Sequence, residues 1–564
     1  MATIVGLAAL SLSRFSSTVA SAASPQSIGS DLSIVTHNDL YGNATARTVA
    51  AVVISRPNRF AAATSRYGDH QDLDFLRYLD YGKSTDKGTY KAVPCSNTAN
   101  DYSRQVSIIT KNATITRYAS IPARFKQSTY IPPQSITTAL ENSPTCIQPG
   151  CTACSENCLT LNIWTPYLPN AKTSSKKKLV MVWIHGSGFA IGTGSDPTFD
   201  GSALASRGDV VLVTRNYRLG TLGVLALENT LLTGNYGLQD QNDFGGDRAK
   251  ITIFGQSAGA ASVRALLASP LSRDKVSGAL MMSTPQGMGY AGFFSEYNTI
   301  PEATALNKTI VNETGCASGN ADLLTCLRAV DPLSLVPRRR RHISTNNLPP
   351  LSASAPKLPI PILAGIMHDN GSLSHPTRPQ TTAATDAMFR CLAQSTTHTA
   401  VKNGVFEKAY AYGFDRVYRI PEWSPNPPAC EAPPTPGFPY GNPNEPYFKC
   451  HSGESLSVFG TTVLRGRTPR DDDDIPFSQY VVDTWSAFAR TGVPVPDSEF
   501  MDARGFTNSS AFVKAAGAWK EVGKGGEKPI RVLAVAGKAR MEEWREVEER
   551  DVLGLGLGYY DGAG

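Results

Sequence analysis

The sequence predicts an α/β fold, a large and mostly parallel central sheet flanked by helices, in a single domain with loop insertions. Three observations predict it. Apolar runs at KKLVMVWIHG (177–186), DVVLVTRNYR (209–218), ITIFGQ (251–256) and IPILAGI (360–366) read as strands buried on both faces. Helical patterns lie among them, FSQYVVDTWSAFAR (477–490) being the clearest. The chain has 564 residues, 41% of them hydrophobic, which suffices for one large core, and no internal repeat divides it. Pro-rich segments at 347–361 and 421–446 read as loops over the sheet rather than linkers.

Charge narrows the function classes. Lys and Arg number 54 against 48 Asp and Glu, a net of +6, so nucleic acid is not an implied partner. Arg338–Arg341 and Asp471–Asp474 are charge runs expected in solvated loops. No apolar run reaches the roughly 18 residues of a membrane span, so no stable membrane anchor is expected. At the N-terminus, apolar Ile4–Leu12 followed by Ala20-Ser21-Ala22 reads as a signal peptide over residues 1–22. The ten cysteines and the sequons at Asn43, Asn112, Asn307, Asn312, Asn370 and Asn508 agree with a secreted, extracellular protein. Cys146, Cys151, Cys154 and Cys158 cluster in CIQPGCTACSENC. A second pair at zinc spacing is missing, so disulfides are favoured over a metal. Cys316 and Cys326 would close one short loop, and Cys430 and Cys450 another; Cys95 and Cys391 are left over.

The chemistry concentrates at Gly255-Gln256-Ser257-Ala258-Gly259. A strand that turns sharply into a helix exposes the turn residue, and glycines on both sides let the backbones pass closely. This is the G-x-S-x-G pattern of a nucleophile elbow. The serine needs a base further along the chain. His375, His398 and His451 are the candidates by order, and His451, in KCHSGESLSVFG, leads. A developing oxyanion needs converging backbone N–H groups. VWIHGSGFAIGTG (182–194), where a strand ends in His-Gly-Ser-Gly, offers them, with Ala258 as the second source.

Further landmarks are SENCLTLNIWTP (155–166), DGSALA (200–205), VTRNYRLGTLG (213–223), GNYGLQDQ, CHSGE and VVDTWSAFARTG (481–492). On these the chain resembles the type-B carboxylesterase and lipase family, the cholinesterase-like α/β-hydrolases, and within it the fungal secreted branch. The likeness runs from residue 36 to 562, and the domain is expected over 30–562. The resemblance implies Ser257 as nucleophile and His451 as base. It implies oxyanion amides on Ser187, Gly188 and Ala258, and Ser262 as a support for the acid–histidine pair. It also implies one disulfide from Cys158 to Cys146, Cys151 or Cys154, and another joining Cys316 to Cys326. No cofactor is implied.

Three departures from the family pattern follow. Where relatives carry Glu or Asp before a glycine, AGIMHDNGSL (364–373) places Asn370, with Asp369 ahead of it as a substitute acid. On a strand end, however, Asp369 would point to the side opposite residue 370. The helix between GNYGLQDQ and FGGD is shorter than in relatives by about three turns. HGSG replaces HGGG, and Ser187 would be strained if its φ is positive.

These readings predict a secreted serine carboxylesterase or lipase that forms an acyl-enzyme on Ser257, with a small-molecule or lipid ester as substrate. The alternative is a catalytically impaired binding protein of the same fold, suggested by Asn370 and the short helix. An acyltransferase, in which an alcohol replaces water, is a third reading.

Overall fold

The computed structural model describes residues 120–129, 144–165, 178–241, 250–285, 300–317, 322–336, 357–373, 377–420, 428–523, 527–535 and 537–544, with a few two-residue strands elsewhere. The leader segment, Asn43, Asn112, Cys95, Arg338–Arg341 and His375 lie outside the described residues.

The apolar runs become strands because their side chains are buried on both faces. β1 is Leu161–Trp164, β2 Val180–Ile184, β3 Val211–Arg215, β4 Ile251–Gln256 and β5 Gly278–Met282. β6 is Leu358–Met367, β7 Phe406–Phe414, β8 Pro529–Leu533 and β9 Arg540–Glu543. They form one nine-stranded sheet in the order β9-β8-β7-β6-β5-β4-β2-β3-β1. The inner strands run parallel, and only the edge pairs β3–β1 and β8–β9 are antiparallel. Alternation along each strand feeds two cores. Val180, Val182, Ile184, Ile251 and Ile253 face one layer; Met181, Trp183 and Phe254 face the other. In the second layer Trp183 meets Phe199, Phe254 and Phe459 with ring centroids 4.8 to 4.9 Å apart. Fully burying aromatic side chains of this size contributes about 1.5–3 kcal/mol each.

Between β3 and β4 the described residues include the short helix α1, Tyr236–Gln241. It is held by a buried ion pair, Arg218 to Asp240, with both guanidinium contacts at 2.7 Å. After β4 comes α2, Ala258–Ala268, and before β7 comes α3, Cys391–Lys402. Helix α4, Asp474–Thr491, covers the expected pattern and buries Trp485 against the sheet.

One expectation is overturned in part here. In the Asp471–Asp474 run, Asp472 and Asp473 are exposed as a solvated run requires, but Asp474 is buried against Arg416 and Arg470 at the start of α4. The cysteines pair as 146–158, 151–154, 316–326 and 430–450. Cys158 therefore takes Cys146, and the C-x-x-C is a small disulfide loop. Among the sequons, Asn312 is exposed, whereas Asn307 and Asn370 are buried. A glycan has no room at Asn370.

Candidate active site

Ser257 sits between β4 and α2 with φ 57° and ψ −125°. Such a conformation is rare for a residue with a side chain and persists only where the surroundings impose it. The two flanking glycines explain how. A Cβ on Gly255 would lie 2.5 Å from the carbonyl carbon of Gly259, and one on Gly259 would lie 2.0 Å from the Ile184 oxygen. The turn therefore closes only with glycine at both places. This packing also seats the N-terminus of α2 against the end of β2, where the His185-Gly186-Ser187-Gly188 loop begins. Gly186 is confined as well, since a Cβ there would lie 2.6 Å from the Gln256 backbone oxygen.

Ser187, Gly188 and Phe189 all have positive φ, at 70°, 62° and 58°. The N–H groups of Ser187, Gly188 and Ala258 find no acceptor among the described residues. Open amides beside a strained serine are a feature able to stabilise an oxyanion. The loop is pinned at its far end by Gln148, which accepts from Gly192 N–H at 2.7 Å and donates to Gly192 O at 3.1 Å. Gln148 lies inside the Cys146–Cys158 loop, so that disulfide braces the glycine loop. At Ser187 the positive φ is needed, and a side chain there costs about 1–2 kcal/mol. Ser187→Gly is expected to stabilise the protein by about 1 kcal/mol, read as a higher urea midpoint at unchanged slope. A lower midpoint would mean that the serine side chain supports the loop.

His451 follows Cys450, whose disulfide to Cys430 anchors the segment. A backbone bridge between Asp369 and Cys450 brings the 369–373 turn alongside. Asn370 and Asp369 then point opposite ways, as alternation requires. Asn370 Oδ1 lies 2.9 Å from His451 Nδ1. Asp369 faces away. Its Oδ2 accepts from the Lys449 N–H at 2.8 Å, and its Oδ1 meets His368 at 3.2 Å and Arg378 at 3.4 Å. Burial acts to raise the Asp369 carboxyl, but His368, the Lys449 N–H and Arg378 hold it below the usual range. The geometry thus contradicts Asp369 as the substitute acid. The side chain that meets His451 Nδ1 is Asn370, a neutral amide.

The imidazole is buried, with the Phe389 ring centroid 5.1 Å from its own. Burial pushes His451 down to about 3. Its Nε2 is met by Gln256 Nε2 at 3.1 Å, and Ser257 Oγ makes no hydrogen bond to it. Ser262, on α2, is buried, and its Oγ has no partner among the described residues. His398 lies partly buried on α3.

Two residues near His451 were not singled out from sequence. Gln256 is the variable position of G-x-S-x-G, so the motif draws the eye past it. Glu454 is three residues beyond His451 and fully buried. It accepts from Ser283 Oγ at 3.0 Å, and its other oxygen is unpartnered among the described residues. Burial raises its carboxyl to about 7. A Glu inside a segment of small and apolar residues was the available signal.

This sheet order, with a strained serine after a central strand and a histidine on a later loop, defines the class of α/β-hydrolases. Residues 116–357 and 361–544 match the Carboxylesterase family model, and the chain belongs to that family. It is 40% identical over 200 residues to cholinesterase 1 of Branchiostoma lanceolatum, 33% of this chain and 53% of that protein. It is 38% identical over 198 residues to mouse bile salt-activated lipase, 32% of each chain. With para-nitrobenzyl esterase of Bacillus subtilis the figures are 37% over 199 residues, 33% of this chain and 38% of that one. These matches span about half of the first relative and about a third of the others. A solved PNB esterase structure superposes with TM-score 0.59 at 23% identity, covering 79% of this chain and 95% of that one, a likeness of fold.

Proposed function

We propose that the protein is a serine carboxylic-ester hydrolase that forms an acyl-enzyme on Ser257. The observation that carries this reading is Ser257 itself, strained at the end of β4 beside the open amides of Ser187, Gly188 and Ala258. Ser257 Oγ attacks the ester carbonyl, and His451 Nε2 takes its proton. The three amides receive the oxyanion, the alcohol leaves, and water attacks the acyl-enzyme with His451 again as base. The substrate class is a small-molecule or lipid ester, as the relatives, a bile salt-activated lipase and a para-nitrobenzyl esterase, suggest.

We also place the protein outside the cell, in the secreted branch of the family. Four disulfides among the described residues support this.

Turnover in this chain is slow, because a neutral amide stands where an acid would steady the imidazolium. The same contact favours a second reading, a binding protein of this fold without catalysis. Purified protein should hydrolyse p-nitrophenyl butyrate weakly and lose that activity in Ser257→Ala. It should also take one organophosphate adduct per chain, absent from the variant. A folded protein that forms no adduct would leave only the binding reading.

A further inference from the structure

We infer that Gln256 gates the base: its carboxamide holds His451 Nε2 in the resting protein and must release it before Ser257 can hand over its proton. The inference rests on the reading of Ser257 as nucleophile and His451 as base. His451 is gripped from both sides by neutral amides, Asn370 Oδ1 at 2.9 Å from Nδ1 and Gln256 Nε2 at 3.1 Å from Nε2. With Asn370 Oδ1 accepting, Nδ1 carries the proton and Nε2 accepts from the Gln256 amide. Nε2 is thereby satisfied by a residue that is not the substrate-activating serine. If Nε2 took a proton in this arrangement, its N–H would face the Gln256 NH2, donor against donor. The gate must therefore move for the imidazolium to form.

The arrangement has a second consequence peculiar to amides. A carboxylate only accepts, so it admits one tautomer. Two amides admit both. Turned end for end, Asn370 Nδ2 would donate to Nδ1 and Gln256 Oε1 would accept from Nε2–H. His451 would then carry its proton on the nitrogen that has to receive one. Gln256 is well placed to exert this control. It is buried, and its Oε1 lies 3.1 Å from where a Gly186 Cβ would be, so the carboxamide lies between the glycine loop and the imidazole. Of the ionisable groups on the adjoining segments, Glu454 has one oxygen on Ser283 and keeps the other unpartnered among the described residues. Asp369 contacts His368, Arg378 and the Lys449 N–H, and Lys449 Nζ sits over the Tyr447 ring. His185 stacks on Tyr217. Gln256 is thus a positioning residue acting through His451.

The test compares the full-length protein with Gln256→Met, which keeps size and removes the amide, and with Gln256→Glu. One readout is the rate of Ser257 labelling by diisopropyl fluorophosphate across pH. The other is the His451 tautomer and titration in long-range proton–nitrogen NMR spectra of protein labelled at histidine nitrogen. Gln256→Met is expected to label about tenfold faster, a modest share of what a freed general base contributes. Its His451 Nε2 resonance should move toward that of an unbonded nitrogen. Gln256→Glu is expected to raise the His451 titration midpoint by more than one pH unit and to slow labelling below it. Equal labelling in the wild type and Gln256→Met overturns the gate alone. So does faster labelling with an unchanged His451 spectrum, because the effect would then arise elsewhere. Labelling absent from all three proteins overturns the nucleophile reading, and the gate falls with it.

Discussion

Asn370→Asp is expected to raise kcat/KM for p-nitrophenyl butyrate by about three orders of magnitude. The reverse exchange in a serine protease costs about four orders, through loss of the correct tautomer and of charge stabilisation. Both losses are built into this site. The partner of His451 Nδ1 is Asn370 Oδ1 at 2.9 Å, and burial holds the imidazole at about 3. A neutral amide opposes that desolvation only weakly, whereas a carboxylate at the same place favours the imidazolium directly. The exchange also removes a local fault. Asn370 Nδ2 is buried without a partner among the described residues, which costs about 1–3 kcal/mol. The pH dependence should change with the rate. In the wild type the base is neutral at any pH well above 3, so activity should be level on the acid side. In Asn370→Asp the raised histidine pKa should bring an acid limb up toward pH 6, the ordinary range of histidine. A rate within threefold of the wild type, with no new acid limb, would show that Asn370 does not stand in the acid's place.

Much of this site was legible in the sequence, and what was not has physical reasons. The strands around the serine could be read because a parallel sheet buries both faces, leaving unbroken apolar runs; ITIFGQ spans the whole of β4. The glycines flanking Ser257 could be read because close approach tolerates nothing larger. The conflict between Asp369 and Asn370 was also visible, since alternation sends adjacent side chains opposite ways. Which of them meets His451 depended on the bridge between Asp369 and Cys450, a contact between distant segments with no local signature. The partner of Cys158 was open for the same reason, because spacing within a tight cluster does not order the pairs. Gln256 was hidden by being the permissive letter of its motif. The acidic run misled because charge runs are usually solvated, and one of the two arginine partners of Asp474, Arg416, lies far off in sequence, whereas Arg470 directly precedes the run.

That acidic run supplies the second large expectation. Asp474→Asn should destabilise the protein by about 3–5 kcal/mol, the range for breaking a buried ion pair from one side. Asp474 Oδ1 accepts from Arg416 Nε at 2.8 Å and from Arg470 at 2.8 Å, and Oδ2 accepts from the Arg470 backbone N–H at 2.7 Å. Removing the charge strands two buried guanidinium groups, of which Arg416 retains Asp471. The damage would reach the candidate site. A Cβ on Gly453, two residues after His451, would lie 2.8 Å from Val417 Cβ, so the histidine segment packs directly on the loop after β7 that carries Arg416. The effect should depend on pH in a definite sense. Burial alone would raise the Asp474 carboxyl, but hydrogen bonds and charge from Arg470 and Arg416 outweigh it and hold it at about 2. A carboxyl depressed in the folded state contributes stability above its unfolded pKa of about 3.9, and loses it as pH falls through the folded value. The gap corresponds to about 2–3 kcal/mol at neutral pH. Urea midpoints of the wild type and Asp474→Asn should therefore lie far apart at pH 7 and draw together near pH 2. Asp472→Asn, at an exposed neighbour, should stay within about 0.5 kcal/mol of the wild type throughout. A penalty for Asp474→Asn equally large at both pH values would show that packing, and not charge, holds the start of α4.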